Sequence, residues 1–380
     1  MDRSPIPSTT PAPVAAGTAP HSYSELINLA VYPWDRARFG GTWEDVARFC
    51  AAHGCAGVEL YTGYEPMPED LPPGLVRSVH LPFHSAWPEM MAAAREEEQE
   101  QELEEDGTAP AGDPNNATTS NDPGNASVPD PLDPSFFPHT THASLLAALR
   151  LQLERAAEAG AAYAVYHVGY YQPVEMFLQT YAMGDAGVLD RAADFLNELA
   201  RAFPEGEPPV PLMFENLWYP GLTYTDPDAV LSFMDRLAFK GYGFLLDTGH
   251  LMNAVALSDD EDDCIDAVCD CIRALPPAIV EKIGVVHLHW SGSHSLRQER
   301  RRRGVPNGFF EMARHDQETL AFQHAVLTDQ HRPFTSERCG EIVEAAAPEW
   351  VVHEFIAGTA EEHGEALRAQ REALGRRRRV

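Results

Sequence analysis

Histidines and carboxylates recur near the ends of successive apolar runs in this 380-residue sequence. Six consecutive runs each supply at least one such residue: His80, His167, Glu215, Asp247 with His250, His287 with His289, and Glu354. Burying this many ionisable groups together is costly unless a cation compensates their charge. Carboxylate and imidazole without thiolate suit Zn²⁺, Mn²⁺, Co²⁺ or Fe²⁺, whereas Ca²⁺ and Cu⁺ are disfavoured. The residue types therefore predict a divalent-metal site.

The apolar runs predict the strands that would bring these residues together. Eight short runs alternate with helical patterns, at residues 26–32, 57–61, 77–83, 163–168, 211–216, 243–249, 284–290 and 350–355. Helical periodicity covers residues 42–53, 141–160, 188–203, 227–237, 262–275, 337–346 and 360–374. Most of the short runs are continuously apolar, as expected of parallel strands buried on both faces. The alternation predicts an α/β fold, a (β/α)₈ TIM barrel, whose active residues lie at the carboxyl ends of the strands.

We predict one domain with two tails and one insertion. Residues 1–22 are rich in Pro, Ser, Thr and Ala and predict a disordered tail, residues 23–375 form the barrel, and residues 376–380 are a basic tail. Residues 89–139, after the third strand, contain an acidic run and then a Pro, Asn, Gly and Ser-rich stretch, a composition that predicts disorder. We interpret this acidic insertion as an inert linker; the alternative is a flexible lid at the barrel mouth.

Acidic residues dominate the charge, with 58 Asp and Glu against 28 Lys and Arg and a net charge of −30. Such a surface repels phosphodiester backbones, so we do not expect a nucleic-acid partner. The six cysteines are too sparse for a disulfide scaffold, and no apolar run is long enough to span a membrane. We therefore expect free thiols in a cytoplasmic protein, whose oligomeric state the sequence leaves open.

A basic cluster at residues 297–303 interrupts this acidic composition. It lies in the long connection 291–335 after the seventh predicted strand, and so on the side of the barrel where the active residues are expected. Two interpretations are open: a loop that meets a phosphate at the mouth, or a solvated helix end that offsets the acidic surface.

The predicted strands group the candidate ligands into a central set and its neighbours. Four residues from four adjacent strands can surround one ion: Glu215, Asp247, His287 and Glu354. Three histidines beside them can bind further metals or hydrogen-bond a polyol: His80, His167 and His250. Glu59 and His289 are additional candidates for lining the site. A single histidine at a strand end is ordinarily a hydrogen-bonded core residue, so the prediction depends on the shared register of the whole set.

The order of the motifs resembles the xylose-isomerase-like TIM barrel superfamily, which includes sugar isomerases, epimerases and endonuclease IV. The motifs are GVEL (57–60), VHLPF (79–83), YHVG (166–169), FEN (214–216), DTGH (247–250), VVHLH (285–289) and HEF (353–355). Each motif is weak alone, but their order and spacing are specific. The resemblance covers residues 24–375, with the acidic insertion as an addition.

If the chain acts like the ketose 3-epimerases in that superfamily, the central set holds one Mn²⁺-type ion. That ion would polarise the substrate carbonyl and a neighbouring hydroxyl and so stabilise an enediolate. Glu215 and Glu354 would exchange the proton on opposite faces of the sugar, while His250 and His80 would orient hydroxyls. The resemblance thus implies a metal-dependent isomerase or epimerase acting on a polyol or sugar phosphate, and we favour this function.

Endonuclease IV provides the alternative, a zinc-dependent phosphodiester hydrolase. The resemblance implies a trinuclear zinc site with the central set and three more histidines, matched here by His80, His167 and His250. It also implies an Asp-x-His pair after strand seven; at residues 313–315 His315 is present, but Ala313 occupies the Asp position. Trp290 replaces a further expected Asp. These departures favour one Mn²⁺, Co²⁺ or Zn²⁺ ion over three.

A third hypothesis is a metal-bearing barrel that binds a small molecule without turnover. The simultaneous presence of Glu215 and Glu354 argues against it, because a binding protein has no use for two opposed proton-transfer groups.

Overall fold

The computed structural model describes residues 22–105 and 141–377, and its strands form a closed parallel barrel. The strands follow one another around the barrel in chain order, and the last pairs with the first. They are β1 (Ser24–Ala30), β2 (Gly57–Tyr61), β3 (Val76–His80), β4 (Tyr163–His167), β5 (Leu212–Glu215), β6 (Tyr242–Asp247), β7 (Ile283–His287) and β8 (Trp350–His353). The predicted (β/α)₈ fold is therefore confirmed.

The strands are apolar because each is buried on both faces. Side chains from five strands form a cluster within the barrel: Leu26, Tyr163, Val165, Leu245, Val285 and Val352. Alternate residues such as Ile27, Val58 and Val286 instead join the larger core that includes the surrounding helices. Successive side chains of a strand point to opposite faces, so only a continuous apolar run can supply both layers.

Helices lie between successive strands, except between β2 and β3, and surround the barrel. They are α1 (Pro33–Ala37), α2 (Trp43–Ala52), α3 (Trp87–Glu105), α4 (His142–Glu158), α5 (Pro173–Leu178), α6 (Asp185–Arg201), α7 (Pro227–Arg236), α8 (Thr248–Val255), α9 (Glu261–Ala274), α10 (Pro277–Val280), α11 (His294–Arg303), α12 (Arg314–Thr328), α13 (Cys339–Ala346) and α14 (Ala360–Arg377). Thr42 begins α2 with a reciprocal capping box to Asp45, and Asp226 caps α7 ahead of Pro227. All seven predicted helices are present.

Helix α3 corrects the start of the predicted disordered insertion. We placed that insertion at residues 89–139, but the chain is helical from Trp87 to Glu105. Trp87 and Met91 are buried, and the Trp87 indole donates a hydrogen bond to the Gly169 carbonyl. These contacts anchor the first turns, and glutamate is a good helix former, so the acidic run continues the helix. The rest of the insertion, 106–139, lies outside the described residues.

The connection after β7 also contains structure that we did not predict. Helix α11, a short 3-10 helix (Phe309–Glu311) and α12 occupy most of residues 291–335. A satellite apolar cluster that includes Phe177, Phe309 and Ala321 packs this segment against α5. The basic cluster 297–303 consequently lies on helix α11 and not on a loop.

The remaining predictions concern the tails, the cysteines and the membrane. Residues 1–21 and 378–380 of the two tails lie outside the described residues, and residues 376–377 end helix α14. None of the six cysteines, all of which lie in the described part of the chain, forms a disulfide bond. Among the described helices, none combines the length and the apolar character that a membrane span requires.

Candidate metal centre

The central set converges at the carboxyl end of the barrel. Glu215, Asp247 and His287 are the last residues of β5, β6 and β7, and Glu354 directly follows β8. One ligand atom from each of the four lies within 4.8 Å of the others. The side chains are almost fully buried except for that of Glu354, which is 17% exposed. Parallel strands with closely matched register bring residues separated by 139 positions to one point.

His287 faces the three carboxylates of this central set. Its Nδ1 lies 3.0 Å from Glu354 Oε2, 3.5 Å from Glu215 Oε1 and 3.6 Å from Asp247 Oδ2. Nδ1 is buried and forms no well-aligned hydrogen bond among the described residues. Burial alone would lower the pKa of His287, but the nearby carboxylates raise it well above its usual value. A nitrogen directed at three carboxylate oxygens without a hydrogen bond fits a metal ligand.

Glu59 lies on the other side of the His287 ring, away from the central set. Its Oε1 is 2.7 Å from His287 Nε2. Its Oε2 accepts hydrogen bonds from Ser78 and from Tyr163, at 2.8 and 3.3 Å. We predicted Glu59 as a possible ligand or substrate contact, but its geometry fits a group that fixes the orientation of the His287 ring. A carboxylate behind a histidine fixes its tautomer and makes the opposite nitrogen a better ligand.

A second group forms around the other oxygen of Glu215. His80 Nε2 and His167 Nε2 lie 3.0 and 2.9 Å from Glu215 Oε2, and the three residues offer ligand atoms within 4.8 Å of one another. His80 Nδ1 is 3.0 Å from the Leu81 carbonyl, which places a proton on Nδ1. Its Nε2 lone pair then faces a carboxylate, an arrangement that needs a second proton or a cation between them.

A third group includes two residues that we did not predict, Asp329 and His331. Asp329 Oδ2 lies 3.1 Å from His250 Nε2 and 3.3 Å from His331 Nε2. Burial would lower the pKa of His331, but Asp329 and Glu354 raise it to about 10. The Asp329 carboxylate is held by Ser291, which donates to Oδ1 at 2.8 Å. These contacts place the end of α12 at the mouth of the barrel.

His289 connects the third group to the central set. Its Nε2 lies 2.9 Å from Asp247 Oδ2, and its ring stacks on that of His331 with centroids 4.2 Å apart. Together with His331 and Glu354 it also forms a possible ligand group. Gly249 lies against the His289 ring, so a side chain at position 249 would collide with that ring.

Comparisons with known proteins are consistent with this architecture. A family model described as the xylose isomerase-like TIM barrel matches residues 47–335, most of the chain. The chain belongs to this family. The resemblance drawn from the ordered motifs is thereby confirmed.

Individual relatives of this barrel family are distant. The chain is similar to endonuclease IV from Thermus thermophilus at 16% identity and a TM-score of 0.47, over 93% of this chain and 99% of that chain. It is similar to an L-ribulose 3-epimerase at 12% identity and a TM-score of 0.46, over 92% of this chain and 93% of that chain. It is also similar to a D-psicose 3-epimerase, solved in the presence of D-fructose, at 14% identity and a TM-score of 0.46. This similarity covers 94% of this chain and 99% of that chain. A search of curated proteins finds no match.

One predicted site residue of this xylose isomerase-like barrel is not part of any ligand group described above. His315 is the second residue of α12 and does not appear among the possible ligand groups of the described residues. The Asp-x-His pair that reaches the centre is Asp329-Gln330-His331, at the opposite end of the same helix. The sequence contains this signal as well, because residues 329–331 read Asp-Gln-His. The Asp that is absent at position 313 therefore has a counterpart at position 329.

Proposed function

We propose that the protein is a metal-dependent hydrolase of phosphate esters with a centre for up to three divalent ions. The observation that supports this most is the meeting of Asp329 and His331 with His250 at the barrel mouth. Without that pair, the residues form two sets of donors, the central set and the group of His80, His167 and Glu215. With it, three adjoining sets of donors remain, more than a one-ion isomerase requires. The proposal of a hydrolase reverses the preference for an isomerase or epimerase that we derived from the sequence.

Glu215 is suited to bridge two of the three sets. Its Oε2 faces His80 and His167 at 3.0 and 2.9 Å, whereas its Oε1 faces His250 and His287 at 3.3 and 3.5 Å. One ion would be held by His80, His167 and Glu215, and a second by Glu215, Asp247, His287 and Glu354. A third would be held by His250, Asp329 and His331. Imidazole and carboxylate donors without thiolate suit Zn²⁺, Mn²⁺ or Co²⁺.

The proposed reaction is the addition of water to phosphorus. A bond forms between the water oxygen and phosphorus, the ester P–O bond breaks, and the departing oxygen leaves with a proton. Bound divalent ions supply a low-pKa water and neutralise charge on the phosphate oxygens. Among the central set, Glu354 has the most exposed side chain, so its carboxylate is the group best placed to take a proton from water. The buried Glu215 and Asp247 serve as ligands.

The second candidate is the isomerase or epimerase, which one specific observation favours. The net charge of −30 opposes polyanionic substrates and is compatible with a neutral sugar. Glu215 and Glu354, both members of the central set, would be the two proton-transfer groups that such a reaction needs. For the same electrostatic reason we propose a small phosphate ester as the substrate of the hydrolase, and not duplex DNA.

Two assays on the same metal-loaded protein distinguish the candidates. The hydrolase should release 4-nitrophenol from 4-nitrophenyl phosphate or its diester, and chelation should abolish this release. An epimerase should instead incorporate deuterium from D₂O into a ketose. Deuterium exchange without hydrolysis would contradict our proposal. The absence of both activities would favour the non-catalytic binder. Nicking of an abasic-site duplex would contradict the proposed small substrate.

A further inference from the structure

A cavity of about 180 Å³ lies beside the third group of the centre. Its walls include Tyr181, Trp218, Arg297, Arg301 and Thr328. Helix α11 contributes both arginines, so the cavity depends on the connection after β7. We call it the arginine pocket.

The arginine pocket shares a wall with the candidate metal centre. The Trp218 ring lies 4.9 Å from the ring of His250, measured between centroids. Thr328 directly precedes Asp329 and is buried, with its hydroxyl donating to the His324 carbonyl. A molecule bound at the centre could therefore extend past Trp218 into the pocket.

The two arginines of the pocket have no acidic partner among the described residues, although the chain has 58 acidic residues against 28 basic ones. Arg303, on the same helix, pairs with Glu299 in the ordinary way. Arg297 is half-buried, whereas Arg301 is exposed. Partial burial lowers the pKa of Arg297, and the group opposing this shift is the Tyr181 phenol. A guanidinium that loses hydration without gaining a carboxylate is expected to receive its counter-ion from a ligand.

Shape and charge indicate which ligand this would be. Two guanidinium groups carry two positive charges, and their planar donor arrays match phosphate oxygens in bidentate pairs. Trp218 and Tyr181 provide aromatic surface for the organic part of a molecule that leads from the centre. The helix interpretation of the basic cluster is thus correct in structure, yet two of its residues still line a cavity.

We propose that the arginine pocket binds a phosphate group, remote from the ester bond that the centre would cleave. This deepens the proposed function, on which it rests, because it assigns a second anionic group to the substrate. The same chemistry would bind free inorganic phosphate, the product of monoester hydrolysis. Phosphate binding therefore defines the pocket, and the source of the phosphate is a separate question.

The binding test uses inorganic phosphate with metal-loaded protein, followed by calorimetry. Arg297→Gln and Arg301→Gln are compared with Arg302→Gln, a control on the exposed face of α11, with metal content and melting temperature matched. The parent and the control should bind phosphate at the pocket, and the two pocket variants should bind there at least about tenfold more weakly, as expected for lost charge-assisted hydrogen bonds. Equal phosphate affinity in all four proteins would overturn the proposal.

Kinetics then identify the source of the phosphate. If the substrate supplies it, Arg297→Gln should raise KM about tenfold for a sugar bisphosphate and leave KM for 4-nitrophenyl phosphate unchanged. If free phosphate is the ligand, only inhibition by inorganic phosphate should weaken. Either result would support phosphate binding in the arginine pocket. Arginine-dependent phosphate binding without hydrolysis of either probe would contradict the proposed hydrolase while leaving the pocket supported.

Discussion

Asp329 Oδ2 lies 3.1 Å from Nε2 of His250, so that the end of α12 meets the first turn of α8 at the barrel mouth. His250 Nδ1 is 2.8 Å from the Asn216 carbonyl, which places a proton on Nδ1. The lone pair of Nε2 then faces the Asp329 carboxylate, and this contact is favourable only with a proton or a cation between the two atoms. Burial would lower the pKa of His250, but Asp247 and Asp329 raise it well above its usual value, so a second proton can occupy this contact. The alternative occupant is the third ion that we propose.

Glu215→Gln should abolish turnover and leave the fold intact. The variant keeps the volume of the side chain but removes the charge that faces four histidine nitrogens at 2.9–3.5 Å. We expect activity to fall by more than about a hundredfold, because even partners of metal ligands are worth 10–100-fold. Phosphate-ester hydrolysis and metal content measure the effect, and the exposed Glu281→Gln serves as the control. Full activity and metal content in Glu215→Gln would contradict our assignment of the centre.

Glu59→Gln should weaken metal binding without removing a ligand. The Glu59 carboxylate contacts His287 Nε2 at 2.7 Å and faces away from the central set. Loss of its charge makes the opposite nitrogen of His287 a poorer ligand, so we expect metal affinity to fall about 10–100-fold. Competition with a chelator measures this affinity, and saturating metal should restore most of the activity. Activity that stays lost at saturating metal would indicate that Glu59 contacts the substrate.

His363 should make the fold sensitive to mild acid. Its side chain is fully buried, and burial together with Arg38 lowers its pKa to about 3. The unfolded chain takes up this proton near pH 6.5 and the folded chain does not, so the free energy of unfolding decreases as pH falls from about 6.5 towards 3. At pH 5 the loss is about 2 kcal/mol.

His363→Leu removes this titration, and it should flatten the decline in melting temperature between pH 7 and 5. The exposed His315→Gln is the control and should retain the slope of the parent. Parallel curves for the parent and His363→Leu would contradict the assignment of a buried neutral imidazole at this position.

The barrel and most of its centre could be predicted because their causes are local or periodic. Strands buried on both faces must be apolar throughout, and residues at their carboxyl ends must face the same mouth. Glu215, Asp247, His287 and Glu354 therefore followed from strand ends alone. The observed strand bounds differ from the predicted ones by a few residues. For example, β6 ends at Asp247 and not at residue 249, because the Asp247 side chain caps α8 by accepting a hydrogen bond from the amide of His250.

The remaining features depend on packing that the sequence pattern does not express. Asp329 and His331 belong to no strand, and their place is set by the apolar cluster that holds α12 against α5. Helix α3 extends into a segment whose composition indicated disorder, because the buried Trp87 and Met91 anchor its first turns. The role of Glu59 depends on which nitrogen of His287 it reaches, and this could be read only from the geometry.

The metal content of Asp329→Ala tests the central claim most directly. Metal-saturated parent protein, freed of loose ions by gel filtration, should hold three equivalents by elemental analysis, and Asp329→Ala should hold two. His315→Ala, with its substitution at the other end of α12, should still hold three. A parent that holds one equivalent would contradict the three-ion centre and favour the one-ion isomerase. Equal contents in Asp329→Ala and His315→Ala would contradict the assignment of Asp329 to the third ion.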